Sequence, residues 1–396
     1  MKIKNYRIKI VRFPLNLRIS KYKVKHSYHL ILRIELDNNI YGYGEGTPYN
    51  ASINDLYNNC NTLMRQFIGK TPNQCINIIN RMYKNLKIPY QIDYGTILAI
   101  STALYDLIGK LEQCPICDIL KKGKCKSKSI PITYIIGLLP RKENYIEAIN
   151  YAKNLGIKNF KIKFSGAPEK DLELLKFLDS NFHNKNHLQF HADVNGNYSS
   201  FRQLIKFLPK FEKYGLKILE QPFDKKYIKH TAKLRELTDI KIMLDESFYI
   251  FNDLKKIIDT KACDIINLHP SKFGHLNYTR YLIGEIIRNH FEFSIGSSMM
   301  TNIGVLAYFH IYNSIPYICE IYEEIGLYYY SNYTITKQIL KIKDGKIRIP
   351  FKNGLGIKIN EKWLSKYAIN PYMLNLRNKI IMPLNLAKNF RNYLFY

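Results

Sequence analysis

The sequence predicts an α/β chain in which an α+β layer is followed by a β/α barrel, and three observations support this. Asp193, Glu220 and Asp245 each close a short β-like run, in LQFHAD, KILEQP and KIMLDES, and His269 closes a fourth in DIINLHPSKFG, at steps of 27, 25 and 24 residues. A step of about 25 residues accommodates one strand, one helix and two loops, and in a barrel the side chains that end successive strands meet at one mouth. From Pro131 onward strand and helix patterns alternate, which implies a parallel sheet with helical crossovers. Before that point the chain reads as three strands followed by helices.

Taken in order, residues 1 to about 46 hold the runs IKNYRIKIVRF, SYHLILRIEL and NIYGYGEG, with Asp37-Asn38-Asn39 turning between the last two. Helical patterns follow at about 52–69, 73–85 and 93–112. The barrel strands are PITYIIG, NFKIKF, LQFHAD, KILEQ, KIMLD, DIINLH, FEFSIGS and PYICEI. A late hairpin turns at Asp344-Gly345 before a C-terminal helix. Two loops are expected over the barrel mouth, one at about 15–26 and one in TPYNAS after Glu45-Gly46, where closing loops exclude water and select the substrate. Arg18, Lys21 and Lys23 in the first loop either favour a substrate with a distal anionic group or form a solvated basic stretch.

The chemistry follows from residue types. Converging carboxylates from Asp193, Glu220 and Asp245 suit a hard divalent cation, most naturally Mg2+. Any one of these acids alone reads as a helix cap or a surface acid; three in register, with Asn195, Gln221 and Glu246 beside them, point to metal ligation. Lys161 and Lys163 are two apart on a strand and therefore share a face, and the flanking Phe160, Ile162 and Phe164 turn them into the lumen. Mutual repulsion beside a metal is expected to lower their pKa, so that Lys163 takes a proton from carbon with Lys161 supporting it. That inventory suits removal of a proton α to a carboxylate through an enediolate.

These residues resemble the muconate-lactonizing subgroup of the enolase superfamily, which includes dipeptide epimerases, N-acylamino acid racemases, o-succinylbenzoate synthases and muconate cycloisomerases. The resemblance is carried by the order Lys-x-Lys, Asp, Glu, Asp. It also rests on GYGEGTPY at 42–49, AISTALYDLIGKL at 99–111, FKIKFSG, HADVNGNY, ILEQPF, MLDES, IINLHPSKFGHL and LKIKDGKIRIPFKNGLGIKI. It implies a modified TIM barrel, (β/α)7β, over residues 131–330, an N-terminal α+β capping domain over 1–130, and a segment 331–396 that packs back on the cap. It further implies Mg2+ as cofactor, a small-molecule carboxylate as substrate, and Thr133, Ser297, Glu320, Tyr322 and Arg18 as substrate-binding residues. Homo-oligomerisation stays open.

Three positions depart from the family pattern. His269 stands in Asn267-Leu268-His269 where the family has Asn-x-Lys, Met300 stands where a glutamate is usual, and Glu320-Ile321-Tyr322 is closer to the Glu-x-Phe of the cycloisomerases than to the Asp-x-Asp of dipeptide epimerases. An imidazole titrates near pH ~6.5 and can act as acid or base, or only order water and substrate. Lys272 lies beyond Pro270 at an odd spacing, so its direction is not expected to match. The readings are a racemase or epimerase of a dipeptide or amino-acid derivative, a cycloisomerase or syn-dehydrating synthase, or a pseudoenzyme with a binding role.

Bulk properties narrow the setting. With 60 Lys and Arg against 32 Asp and Glu the net charge is +28, which raises a nucleic-acid or membrane partner. The lysines are spread through every segment, however, so a compositional bias is the simpler reading and no specific nucleic-acid or membrane partner is expected. Lys121, Lys122, Lys124, Lys126 and Lys128 are read as a solvated linker. Seven irregularly spaced cysteines argue against a disulfide framework and for a reducing, cytoplasmic setting. Cys114-Pro-Ile-Cys117 has metal or redox spacing but no second pair, and is read as structural. No apolar run reaches ~18 residues.

Overall fold

The computed structural model describes residues 1–19, 22–48, 51–84, 93–127, 129–182, 188–296, 298–317, 321, 323, 335–338, 340–348 and 350–371, with the side chains of 16–19 and 22–24 excepted. Strands β1 (Ile3–Ile19), β2 (Tyr22–Leu36) and β3 (Tyr41–Gly46) form an antiparallel sheet. Helices α1 (Ile53–Phe67), α2 (Pro72–Lys84) and α3 (Tyr94–Leu111) cover it. Ser52 starts α1 with a capping box to Asp55, which satisfies two otherwise orphaned backbone donors.

The alternating glycines of GYGEG have a steric cause. A Cβ on Gly44 would lie 1.8 Å from the Ala99 carbonyl oxygen of α3, so only glycine permits this helix to lie directly on β3. The intervening Glu45 is fully buried. Its carboxylate accepts from His29 Nδ1 at 2.7 Å, Thr301 Oγ1 at 2.6 Å, and the Thr301 and Gly304 amides at 2.8 Å each. One buried acid thereby ties the cap sheet to the start of a barrel helix.

The region at about 15–26 is not a loop. β1 and β2 continue as a paired ribbon, Leu17 opposite Val24, Arg18 opposite Lys23 and Ile19 opposite Tyr22, after an irregularity between Pro14 and Leu17. The β-propensity of LNLRI and YKVKH sustains the ladder past the point where the proline interrupts the pattern.

A short helix α4 (Ile116–Lys121) and strand β4 (Ile130–Pro131) lead into the barrel. Its strands are β5 (Thr133–Ile136), β6 (Asn159–Lys163), β7 (Gln189–Asp193), β8 (Leu216–Glu220), β9 (Lys241–Leu244), β10 (Ile265–Leu268) and β11 (Glu292–Ile295), seven parallel neighbours in chain order. Helices α5 (Lys142–Asn154), α6 (Pro168–Phe182), α7 (Phe201–Leu204), α8 (Leu208–Lys213), α9 (Ile228–Arg235), α10 (Phe251–Thr260), α11 (Leu276–Arg288) and α12 (Asn302–Ser314) lie between or after them. The eighth position is taken by Ile321 and Glu323. The Ile295 amide bonds Ile321 O, the Glu323 amide bonds Ile295 O, and Glu323 bridges Thr133 of β5.

The late segment touches both halves of the molecule. Strand β12 (Lys346–Ile347) pairs with β4, and the Gly345 amide bonds Leu155 O beside the barrel. Helix α13 (Glu361–Tyr367) leads to β13 (Ala368–Ile369), which joins β1 at the edge of the cap sheet. No helix among the described residues is long and apolar enough to cross a membrane.

His275 precedes α11 and crosses to the cap, with Nδ1 2.8 Å from Ser101 Oγ and Nε2 2.8 Å from Asn80 Oδ1. Burial lowers its pKa from 6.5 to about 3. The unfolded chain therefore binds a proton between pH 6.5 and 3 that the folded chain refuses, so this group's stabilisation is full above pH 6.5 and fades as pH falls. His275→Gln is expected to reduce the stability lost between pH 7 and pH 5 by about 2 kcal/mol, read from denaturant unfolding at the two pH values. An unchanged loss would refute this linkage.

Candidate active site

Strand register sets the site. Lys163 pairs with Asp193, and Asp193 with Glu220, so these three side chains are level at the ends of β6, β7 and β8. Asp245 follows β9 by one residue, and its amide donates to Gln221 Oε1 at 3.0 Å, as does the Ser247 amide at 3.2 Å. Gln221 itself sits at φ 39°, and Asn195 at φ 49°, left-handed conformations that cost energy and are retained where the rim must turn.

Three ammonium groups thread this acidic rim. Lys161 Nζ lies 2.6 Å from Glu220 Oε2, 2.6 Å from Glu323 Oε2 and 3.7 Å from Asp193 Oδ2. Lys163 bonds Asp193 Oδ2 and, at 3.0 Å, Asn195 Oδ1. Lys272 bonds the Asp245 carboxylate and, at 2.7 Å, its carbonyl oxygen, with its Nζ 4.6 Å from the centre of the Tyr249 ring. His269 Nε2 is 3.2 Å from Asp245 Oδ1. Asn195 Nδ2 donates to Glu246 Oε1 at 2.9 Å, and Asn267 Nδ2 to Glu220 Oε1 at 3.0 Å and Glu323 Oε2 at 3.2 Å.

The protonation balance differs from the sequence expectation. Burial works against the charge on Lys161, yet Glu220, Glu323, Asp193 and Asp245 outweigh it and hold the group well above the ordinary lysine range. Lys163 is raised as well, burial being overcome chiefly by Asp193. The lowered lysine pKa is expected beside a divalent cation; among the protein's own groups the carboxylates outnumber the lysines, and the shift is upward. Burial and Asp193 push Glu220 well above the usual carboxylate range. Burial and the negative Asp245 and Asp193 bring Glu246 up to about 7. Asp245 goes the other way: against burial, Lys272 and His269 hold it well below.

Two sequence-derived positions move. Lys272 was expected to point elsewhere on strand parity, but Pro270–Lys272 forms a 3-10 turn, in which residues three apart eclipse, so Lys272 returns to the side of His269. Glu323 lies beyond the eighth run, PYICEI, which ends at Ile321; it is 1% exposed and grips Lys161. The acid pair Glu323-Glu324, one residue past that run, is the available signal. Thr133 is fully buried and bridges Glu323, and Met300 is buried against Gly304 of α12. Ser297, Glu320, Tyr322 and the side chain of Arg18 lie outside the described residues.

Gly296 makes room for the histidine. A Cβ there would come within 2.1 Å of His269 Nε2. Gly296→Ala is expected to displace the imidazole from Asp245 and cut turnover about 100-fold with the fold intact, measured by activity beside circular dichroism. Turnover at the wild-type level would show that the imidazole's place is immaterial.

The fit to a divalent cation rests on the donor set. Asp193, Glu220, Asp245, Glu246 and Glu323 oppose Lys161, Lys163 and Lys272, five carboxyl groups against three ammonium groups, so full ionisation leaves an excess equal to the charge of one divalent ion. Hard oxygen ligands suit Mg2+. The expected convergence is corrected in one respect. As placed, Asp193, Glu220 and Asp245 do not bring one oxygen each within 4.8 Å of the other two. Each carboxylate is instead drawn onto its own lysine, so holding an ion in common requires these side chains to turn inward.

Comparisons agree along most of the chain. Residues 6–121 match the family described as mandelate racemase / muconate lactonizing enzyme, N-terminal domain, and residues 145–363 match enolase C-terminal domain-like. The chain is 24% identical over 375 residues to the D-Ala-D/L-Ala epimerase of Cytophaga hutchinsonii, covering 92% of this chain and 99% of that one. It is 26% identical over 277 residues to the o-succinylbenzoate synthase of Bacillus subtilis, covering 68% and 69%. Among solved structures, N-succinyl Arg/Lys racemase from Bacillus cereus superposes with a TM-score of 0.84 at 24% identity, covering 93% and 99%. A dipeptide epimerase from Enterococcus faecalis, complexed with Mg and the dipeptide L-Leu-L-Tyr, gives 0.80 at 20% identity, covering 90% and 100%.

Proposed function

The chain belongs to the mandelate racemase / muconate lactonizing enzyme family, as an isomerase of the enolase superfamily, and on that premise we propose that it removes the proton α to a carboxylate on one face and returns it on the other. The substrate class is a dipeptide or an amino-acid derivative, in keeping with what the epimerase and racemase relatives are named for. The domain division read from the sequence, cap over 1–130, barrel over 131–330 and returning segment over 331–396, is part of this reading.

One observation carries it. Lys163 ends β6 and His269 follows β10, four strands away in an eight-membered ring, so the two proton carriers stand on opposite walls of the lumen. A planar carbon held between them exchanges its proton on either side. Lys161, fixed by Glu220 and Glu323, keeps a positive charge beside the position of the substrate carboxylate. Asp193, Glu220 and Asp245 are the residues that would hold Mg2+, which when bound supplies further positive charge to the carboxylate oxygens. Gln221 and Asn195 fix the rim that presents those acids.

The test is α-hydrogen exchange in D2O over dipeptides, N-acylamino acids and other carboxylates. Deuterium appearing in both stereoisomers with inversion supports the reading. A dehydrated or ring-closed product without inversion would overturn it in favour of a synthase or cycloisomerase.

A further inference from the structure

Away from the barrel rim, two thiols and a carboxylate meet in the connection that leads from the cap into the barrel. Cys117 Sγ, Cys125 Sγ and an Asp118 carboxylate oxygen all lie within 4.8 Å of one another, and all three residues are buried. Among the described residues this is the one such group of metal-ligating side chains. It is built rather than accidental in its backbone. Lys122 closes α4 in the left-handed region at φ 57°, the Gly123 amide bonds Asp118 O at 3.0 Å, and the Cys125 amide bonds Asp118 Oδ1 at 2.8 Å, so the chain is folded back to bring Cys125 over Cys117. Cys125 Sγ is 3.3 Å from Cys117 O. The motif Cys114-Pro-Ile-Cys117 therefore finds its second thiol not in Cys114 but in Cys125.

We propose that Cys117, Cys125 and Asp118 form a binding site for a thiophilic divalent metal ion, Zn2+ by chemical class, separate from the hard-cation site of the barrel. Two thiolates and a carboxylate are a ligand set of the borderline-soft kind that zinc takes in tetrahedral sites. Ligand atoms around a tetrahedral zinc stand about 3.5–3.8 Å apart, inside the 4.8 Å within which these three lie. The fourth position falls to Cys114, one step earlier in the C-x-x-C pattern and partly exposed, or to water. Zinc on these three ligands carries one net negative charge, and Lys124 Nζ, 3.4 Å from Asp118 Oδ2, offsets it. His310 of α12, the helix packed against α4, is fully buried, and its Nδ1 has no hydrogen-bond partner among the described residues. An ion here would staple α4 to the connection that leads into β4.

Cobalt tests it, because Co2+ reports thiolate ligation by a charge-transfer band that oxygen ligation at the barrel rim does not produce. Titrating the reduced full chain with Co2+ is expected to give that band at one equivalent, bleached by one equivalent of Zn2+. Cys117→Ser and Cys125→Ser are each expected to abolish it, Cys60→Ser to leave it, and Asp118→Asn to weaken binding at least about tenfold while keeping the band. Circular dichroism checks that each variant is folded, and the Asp118→Asn titration decides the matter if a serine variant is not. Absence of the band, its survival in both serine variants, an unchanged Asp118→Asn affinity, or a Cys117–Cys125 disulfide forming in place of the cobalt complex overturns the proposal. Catalysis is not the readout, so the outcome is independent of the proposed reaction.

Discussion

Lys163→Ala is expected to lose about 10²–10⁴-fold in turnover, the range associated with removing a positioned general acid or base. The loss should be face-selective. With Lys163 gone, deuterium exchange from the stereoisomer whose hydrogen faces β6 should vanish, while the imidazole of His269 still exchanges the other. His269→Gln should give the mirror result. The geometric ground is the placement of the two groups four strands apart, with Lys163 held by Asp193 and Asn195 and His269 by Asp245. The decisive outcome is asymmetry. If His269→Gln leaves exchange from both stereoisomers at the wild-type rate, the histidine only orders its surroundings, and single-face chemistry at Lys163 replaces the two-base reading.

Glu220→Gln is expected to abolish turnover, by about a thousandfold or ~4 kcal/mol of barrier, together with Mg2+ binding measured by calorimetry. The same substitution should leave folding stability in chelator unchanged or higher. Burial and Asp193 already push Glu220 toward its protonated form, so a neutral amide relieves repulsion that Lys161 and a bound cation otherwise offset. Its cost is the ion pair with Lys161. Chelation of wild-type protein should silence it reversibly, with Mg2+ restoring activity. Turnover that persists in chelator, or a stability loss that parallels the activity loss, would sink the view that these carboxylates serve a cation.

The pattern of what was legible follows from the range of the interactions. The barrel, the cap and the rim positions of Lys161, Lys163, Asp193 and Glu220 were readable because strand alternation and a repeat of about 25 residues are properties of short sequence windows. The ribbon at 15–26 was misread as a loop because its pairing depends on the partner strand and not on either strand alone.

The α/β architecture and the acidic and basic residues that end successive strands are written in local periodicity and order, and the family follows from the resemblance of the motifs those residues form. That Lys272 turns back onto Asp245, that Glu323 closes the ring and holds Lys161, and that Cys125 lies over Cys117 emerges only in the folded chain. Those contacts join residues through a 3-10 turn, a ring closure and a chain reversal, where direction in space no longer follows from counting along the chain. The same holds for charge: the sign of a pKa shift belongs to the full set of neighbours, and the lysines' company of carboxylates existed only once the barrel had closed around them.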